Sequence, residues 1–199
     1  MRPIKPKDPH AAVTDRRVFR TRASLRDALL QLMAERGWEG VDIASLCELA
    51  NLGRSTFYLH YANKEDLLRG SLDDLGLMLR EQAGQTKQRA RATLAFVEPL
   101  MAHVNEQQDV FRAIVGRRSG QYVQQRFREL LVRLVSEELG IGAKSHWQRV
   151  AAANYLAGAL FELMGWWLGT RRPNKASEIV AHFHALSSSA LRLAAATID

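Results

Sequence analysis

Between Arg54 and His60 the chain reads R-S-T-F-Y-L-H, which puts a guanidinium, two hydroxyls, a phenol and an imidazole into one short stretch. These are groups that bond base edges and phosphates. They lack the partners that hydrolytic chemistry needs. The sequence has no H-E-x-x-H and no G-x-S-x-G, and G-I-G-A-K-S at 140–145 lacks phosphate-loop spacing and a preceding strand. His182 and His184 are two apart, so on a helix they point to nearly opposite sides and cannot share a metal. The reading is of a protein without catalytic residues, metal or cofactor. If the stretch is helical with Phe57 turned inward, then Arg54, Ser55, Thr56, Tyr58, Leu59 and His60 face outward. That arrangement presents the first turn of a helix to a major groove.

The flanking elements must hold that turn in place. Asp42 is a good N-cap for a short helix from Ile43 to Ala50, whose apolar side carries Ile43, Leu46 and Cys47. Asn51, Leu52 and Gly53 break it, because Asn and Gly best tolerate positive φ. Leu46, Ala50, Leu52 and Phe57 would then close a small core, with Cys47 as a packed, inert thiol at the helix crossing. Upstream, a helix beginning near Asp15 gathers Val18, Leu25, Leu29, Leu32 and Met33 on one face and stops at Gly37. Trp38 to Val41 form a turn. Downstream, Asn63 can cap a longer helix through about Gln82, with Glu65 and Asp66 complementing its dipole.

Apolar residues keep helical spacing through the rest of the chain, without the alternation of a sheet. Helices are expected near Thr86 to Glu106, Gln108 to Val115, Gln121 to Leu139, Lys144 to Leu168 and Asn174 to Ala196, with a kink at Pro99. The fold class is therefore all-α, about nine helices in total. An N-terminal three-helix helix-turn-helix domain is joined to a larger C-terminal helical bundle. The expected divisions are a flexible basic arm at 1–14, the helix-turn-helix at 15–62, a connecting helix at 63–82 and a ligand-sensing and dimerisation domain at 83–199. In the arm, Arg2, Lys5 and Lys7 read as solvated charges rather than minor-groove probes.

Composition sets the class of partner. A net charge of +7 and a pI near 10.0 favour a polyanion such as nucleic acid. Residues 1–64 hold eleven Lys/Arg against seven Asp/Glu, so the first third supplies more than half of that excess. No run approaches the roughly 18 apolar residues of a membrane span, and the start has no apolar core like that of a secretory signal. With a single cysteine, the chain reads as cytoplasmic and without a membrane partner.

The segment L-G-R-S-T-F-Y-L-H-Y-A-N-K-E-D-L-L resembles the signature of TetR-family regulators, and D-R-R-V-F-R-T-R-A-S-L-R-D-A-L-L-Q-L-M-A-E-R-G resembles their first helix. The resemblance spans Asp15 to Leu72 and implies a transcriptional regulator, read as a repressor, that is tuned on a palindromic operator by a small-molecule effector. It implies Arg54 as the main base reader, since a guanidinium bonds both acceptors of a guanine. Ser55 and Thr56 would add base or phosphate contacts and Leu59 a thymine-methyl contact. Tyr58, His60 and Lys64 would hold phosphates, and Ser45 one more. Asn51 and Cys47 stand where the family usually has Gly and Ala, and Ala44 replaces a side chain that is often polar. The segment L-A-G-A-L-F-E-L-M-G-W-W-L with P-N-K-A-S-E-I-V resembles the C-terminal part of one TetR subgroup less closely. It keeps open a coactivator that has given up DNA and acts through protein contacts.

Members of that family dimerise through their last two long helices, and the sequence suits this independently. Ala151, Gly158 and Gly165 recur every seven residues, with Asn154 beside them, a stripe of small residues that invites a second helix. Phe183, Leu186 and Ala190 continue an apolar stripe on the last helix, so a homodimer with a four-helix seam is expected. The resemblance places an effector pocket among the fifth to eighth helices. Phe96, His103, Phe111, Tyr122, Phe127, Tyr155, Phe161 and Trp166 are its expected lining.

Overall fold

A computed structural model of the chain describes residues 9–90, 94–116, 120–141, 146–170 and 174–196, with side chains at 16–85, 94–116, 120–141, 146–170 and 174–192. The described residues form nine α-helices and one 3-10 turn, with no strand. The helices are α1 (Pro9–Arg36), α2 (Ile43–Leu49), α3 (Arg54–His60), α4 (Lys64–Ala90), α5 (Val97–Glu106), α6 (Gln108–Val115), α7 (Gly120–Glu138), α8 (Trp147–Gly169) and α9 (Ala176–Ala196). The 3-10 turn is Trp38–Gly40. Arg2, Lys5 and Lys7 lie outside the described residues. None of the described helices is long and apolar enough to cross a membrane.

Helix α1 is described from Pro9, ahead of the Asp15 expected. It ends where the Gly37 N–H reaches Met33 O at 3.0 Å and Gly37 takes φ 73°. Leu25, Leu29, Leu32 and Met33 are buried in the core, as the helical spacing requires.

The end of α4 and the start of α5 also differ from the sequence reading, and one contact explains the second. The Glu138 carboxylate accepts from the Ala95 N–H at 2.9 Å and the Phe96 N–H at 3.1 Å, so the chain turns there and α5 begins only at Val97. Pro99 is then the third residue of the helix. The first four N–H groups of a helix have no intrahelical partner, so no hydrogen bond is lost and the expected kink has no cause. The chain upstream of this turn extends α4, which continues through Gly84 to Ala90 instead of stopping near Gln82.

The two halves meet around α4. Arg80 forms a paired contact with Glu137 of α7 at 2.6 and 2.9 Å, and Arg133 of α7 reaches Asp73 at 3.1 Å. Further along, Trp38 of the 3-10 turn stacks on Tyr122 of α7, centroids 5.6 Å apart and planes 19° from parallel. Gly120, at φ 72°, lies against Trp38; an added Cβ would meet that ring at 3.7 Å. Phe111, Phe127 and Phe161 run in file through the C-terminal half, with centroids 5.8 and 6.1 Å apart.

Candidate nucleic-acid interface

Helix α2 starts as its N-cap dictates: Asp42 Oδ1 accepts the Ser45 N–H at 2.9 Å. Hydrogen bonds from Ser45 backbone and hydroxyl hold the Asp42 carboxyl below its ordinary pKa of 3.8. The helix closes as Ala50 N–H reaches Leu46 O at 3.0 Å, and Leu52 N–H folds back to Cys47 O at 2.8 Å. Asn51 takes up the reversal at φ 53°, a left-handed conformation that asparagine accepts more readily than most residues. Leu46, Cys47 and Phe57 are buried behind the turn, and Ala50 and Leu52 pack against them. Burial pushes the Cys47 thiol above its ordinary pKa, which disfavours the thiolate.

Helix α3 has seven residues and one buried side chain, Phe57, which fixes its rotation. Arg54, Ser55, Tyr58 and Leu59 are exposed, and Thr56 and His60 are half-buried at the edges. Leu59 is 82% exposed, a position that solvent alone does not reward. Tyr58 sets its ring edge-on to Phe57 at 5.5 Å, so the phenol leans out from a braced base. Arg16, Arg17 and Arg20 of α1 are exposed as well.

Two expected contact residues are committed elsewhere. Lys64 Nζ donates to Trp38 O at 3.1 Å and Val41 O at 2.9 Å and lies 4.7 Å from the Trp38 ring centroid. It therefore ties the start of α4 to the 3-10 turn, and one of its three protons remains for any other acceptor. Ser45 Oγ donates to Asp42 Oδ2 at 2.9 Å and accepts from Arg36 Nη1 at 3.2 Å. Its only proton is used, so it has none to give a phosphate. Sequence reasoning missed both because Trp38 and Arg36 lie outside the local pattern.

The C-terminal half redistributes the expected pocket lining. Phe96, Phe127 and Phe161 are filled core. Tyr122 belongs to the stack with Trp38, under the Arg126 guanidinium at 5.1 Å. Tyr155 and Trp166 point away from the interior, 64% and 58% exposed. His103 and Phe111 reach the wall of a cavity that lies at the junction of the halves rather than inside the bundle.

The expected seam residues divide similarly. Ala151, Asn154 and Leu186 are exposed and Ala190 half-exposed. A Cβ added at Gly158 or Gly165 would meet nothing within 4 Å. Phe183 is the exception: it is buried in the core of the single chain and has no surface left to offer a partner. Trp147, 69% exposed, joins Ala151, Tyr155 and Leu186 in a groove between α8 and α9.

Comparison with known proteins places these features. A sequence profile described as "Bacterial regulatory proteins, tetR family" matches residues 25–70, which take in the end of α1, the helix-turn-helix and the start of α4. The chain is 48% identical over 56 residues to an uncharacterized HTH-type transcriptional regulator, YxbF, of Bacillus subtilis; the match takes in 28% of this chain and 15% of that relative. The fold is similar to a TetR transcriptional regulator from Streptococcus agalactiae, with 25% identity and a TM-score of 0.63 over 89% of this chain and 98% of that one. It is also similar to FadR of Thermus thermophilus, a TetR-family repressor solved with lauroyl-CoA, at 18% identity and a TM-score of 0.57 over 85% and 94%.

Proposed function

We propose that this chain, a transcriptional regulator that belongs to the tetR family through residues 25–70, docks α3 in the major groove of a palindromic operator as a homodimer and represses until an effector binds. The observation that carries the reading is the two-sidedness of α3. Phe57 is wholly buried, and Arg54, Ser55, Tyr58 and Leu59 are left in solvent. Arg54 reads a guanine edge through two hydrogen bonds, Ser55 and Thr56 bond bases or phosphates in the same turn, and Leu59 meets a thymine methyl. Tyr58 and His60 hold phosphates and set the docking register. Lys64 acts chiefly by fixing where α3 leads into α4.

Dimerisation follows from the α8 and α9 face. Open space above Gly158 and Gly165, the exposed Asn154 and the groove of Ala151, Leu186 and Ala190 between α8 and α9 suit the close approach of the same helices from a second copy. Two-fold symmetry then presents two α3 helices about 34 to 36 Å apart, or a multiple of that, to half-sites one helical turn apart. Likeness in fold to a repressor solved with lauroyl-CoA supports effector-responsive repression.

Polarisation titration against promoter fragments over a salt series tests the core claim. Log affinity should fall linearly with log salt, with a slope set by the phosphates contacted. Binding that ignored salt, or protein indifferent to every duplex, would sink it.

A further inference from the structure

Helices α1 and α4 meet α5 and α6 around a cavity of about 320 Å3. Its volume is at the lower end of the range for small-molecule sites, roughly 300 to 1,000 Å3. Leu30, Leu72, Met78, Phe111 and Ile114 are among the apolar residues that line most of its wall. Apolar walls facing a void forgo dispersion contacts that an apolar guest of the right size restores. The space is unlike the interior of the C-terminal bundle, where the file of phenylalanines is closed, because α1 of the helix-turn-helix half forms part of its lining.

Polar groups collect on the same lining and are unevenly matched. Arg26 Nε lies 3.5 Å from Asp27 Oδ1, so its one cation already answers one carboxylate. Asp74 has neither hydrogen bond nor ion pair among the described residues. His103 sets its ring edge-on to Phe111 at 5.7 Å, and its imidazole nitrogens make no hydrogen bond among the described residues. Burial lowers its pKa, against the pull of Glu106 and with the push of Arg26, so the imidazole is neutral and keeps an acceptor nitrogen. An anionic head would meet two carboxylates, Asp27 and Asp74, against the single Arg26 guanidinium. A neutral head would cover that carboxylate without compensating its charge. An ammonium answers both acceptors.

We propose that this junctional cavity binds a lipophilic amine, with its apolar body against Leu72, Met78 and Phe111 and its ammonium toward Asp74 and His103. The guest joins α1 to α5 and α6, so occupancy is felt directly by the unit that carries α3. This consequence for DNA rests on the effector-responsive reading above; the binding itself does not.

Calorimetric titration of the full-length protein at neutral pH with n-octylamine, n-octanol and octanoate separates head group from chain. The amine is expected to bind about tenfold or more tighter than the alcohol, with octanoate weakest. Asp74→Asn, at an exposed position, should weaken the amine about tenfold and leave the alcohol unchanged. Val110→Phe, which narrows the cavity, should weaken both. Melting curves of each variant confirm that it is folded, and Asp74→Glu should restore amine binding. Octanoate binding as tightly as the amine, an Asp74→Asn protein that keeps full amine affinity, or no binding of any probe would overturn the proposal. Amine binding that left operator affinity unchanged would support the site and overturn its regulatory role. Loss of DNA binding by the ligand-free protein would overturn the operator reading alone.

Discussion

Helices α3 and α8 both hold large apolar side chains in open solvent, Tyr58 and Leu59 on the one and Tyr155 and Trp166 on the other. On α3 the apolar groups are few and stand among a guanidinium and hydroxyls, and the helix is only seven residues long. Such a surface fits a partner that is itself narrow, charged and hydrogen-bonding. On α8 they flank a stripe of glycine and alanine running most of a 23-residue helix, and the surface fits another helix at close range. The difference teaches that exposure alone does not name a partner. The residues between the exposed ones do.

The comparison breaks most visibly at its broader face. Gly158→Leu should convert the dimer to monomer in sedimentation and lower operator affinity about a hundredfold or more, because two linked half-site contacts become one. Inside the single chain the new side chain meets nothing within 4 Å at its Cβ, so its melting should fall only by what the lost partner contributed. A variant that stayed dimeric would remove α8 from the seam. On the narrow face, Arg54→Ala should cost about 1 to 3 kcal/mol on the preferred operator and much less on random duplex. Equal losses on both would make Arg54 a phosphate contact. Lys64→Met should lower chain stability by about 1 to 2 kcal/mol in urea, because the Trp38 and Val41 carbonyls lose a charged donor, and should weaken all duplexes alike. A sequence-selective loss would return Lys64 to base recognition.

The smallest effect expected is a pH dependence. Burial lowers the pKa of His103 from 6.5, so the unfolded chain binds the extra proton first. Its contribution to stability is complete above 6.5 and is lost as pH falls from there through the folded value. His103→Gln should flatten the melting profile over that window. His184 is shifted in the same direction by burial and should retain its own part of the slope. An unaltered profile in the variant would show that His103 is as solvated when folded as when unfolded.

What could be read from the sequence was what short-range forces decide. Asp42 capping α2, Asn51 turning the chain and Phe57 fixing the rotation of α3 all act within a few residues of the element they shape. The start of α5 depends instead on Glu138, more than forty residues along the chain from the amides it binds, and nothing near Pro99 announces it. The sequence offers Lys64 as a phosphate contact and hides its bonds to the Trp38 and Val41 carbonyls, which lie more than twenty residues upstream. Helix α8 is apolar on nearly every side, so periodicity could not say that Tyr155 and Trp166 face outward while Phe161 faces in. The mouth of the junctional cavity was hidden for the opposite reason: Arg26, Asp27 and Asp74 look like ordinary surface charges until α1 and α4 are laid against α5.

The stack of Trp38 on Tyr122 is a contact of modest strength. A pair of aromatic rings in that geometry contributes about 0.5 to 1.5 kcal/mol beyond the area it covers. A guest that preferred one setting of the two halves tenfold would supply about 1.4 kcal/mol, which is the same size. On the proposed effector-responsive reading, the ring pair is one contact between the halves whose strength such a guest matches, beside the continuous buried core that both halves share.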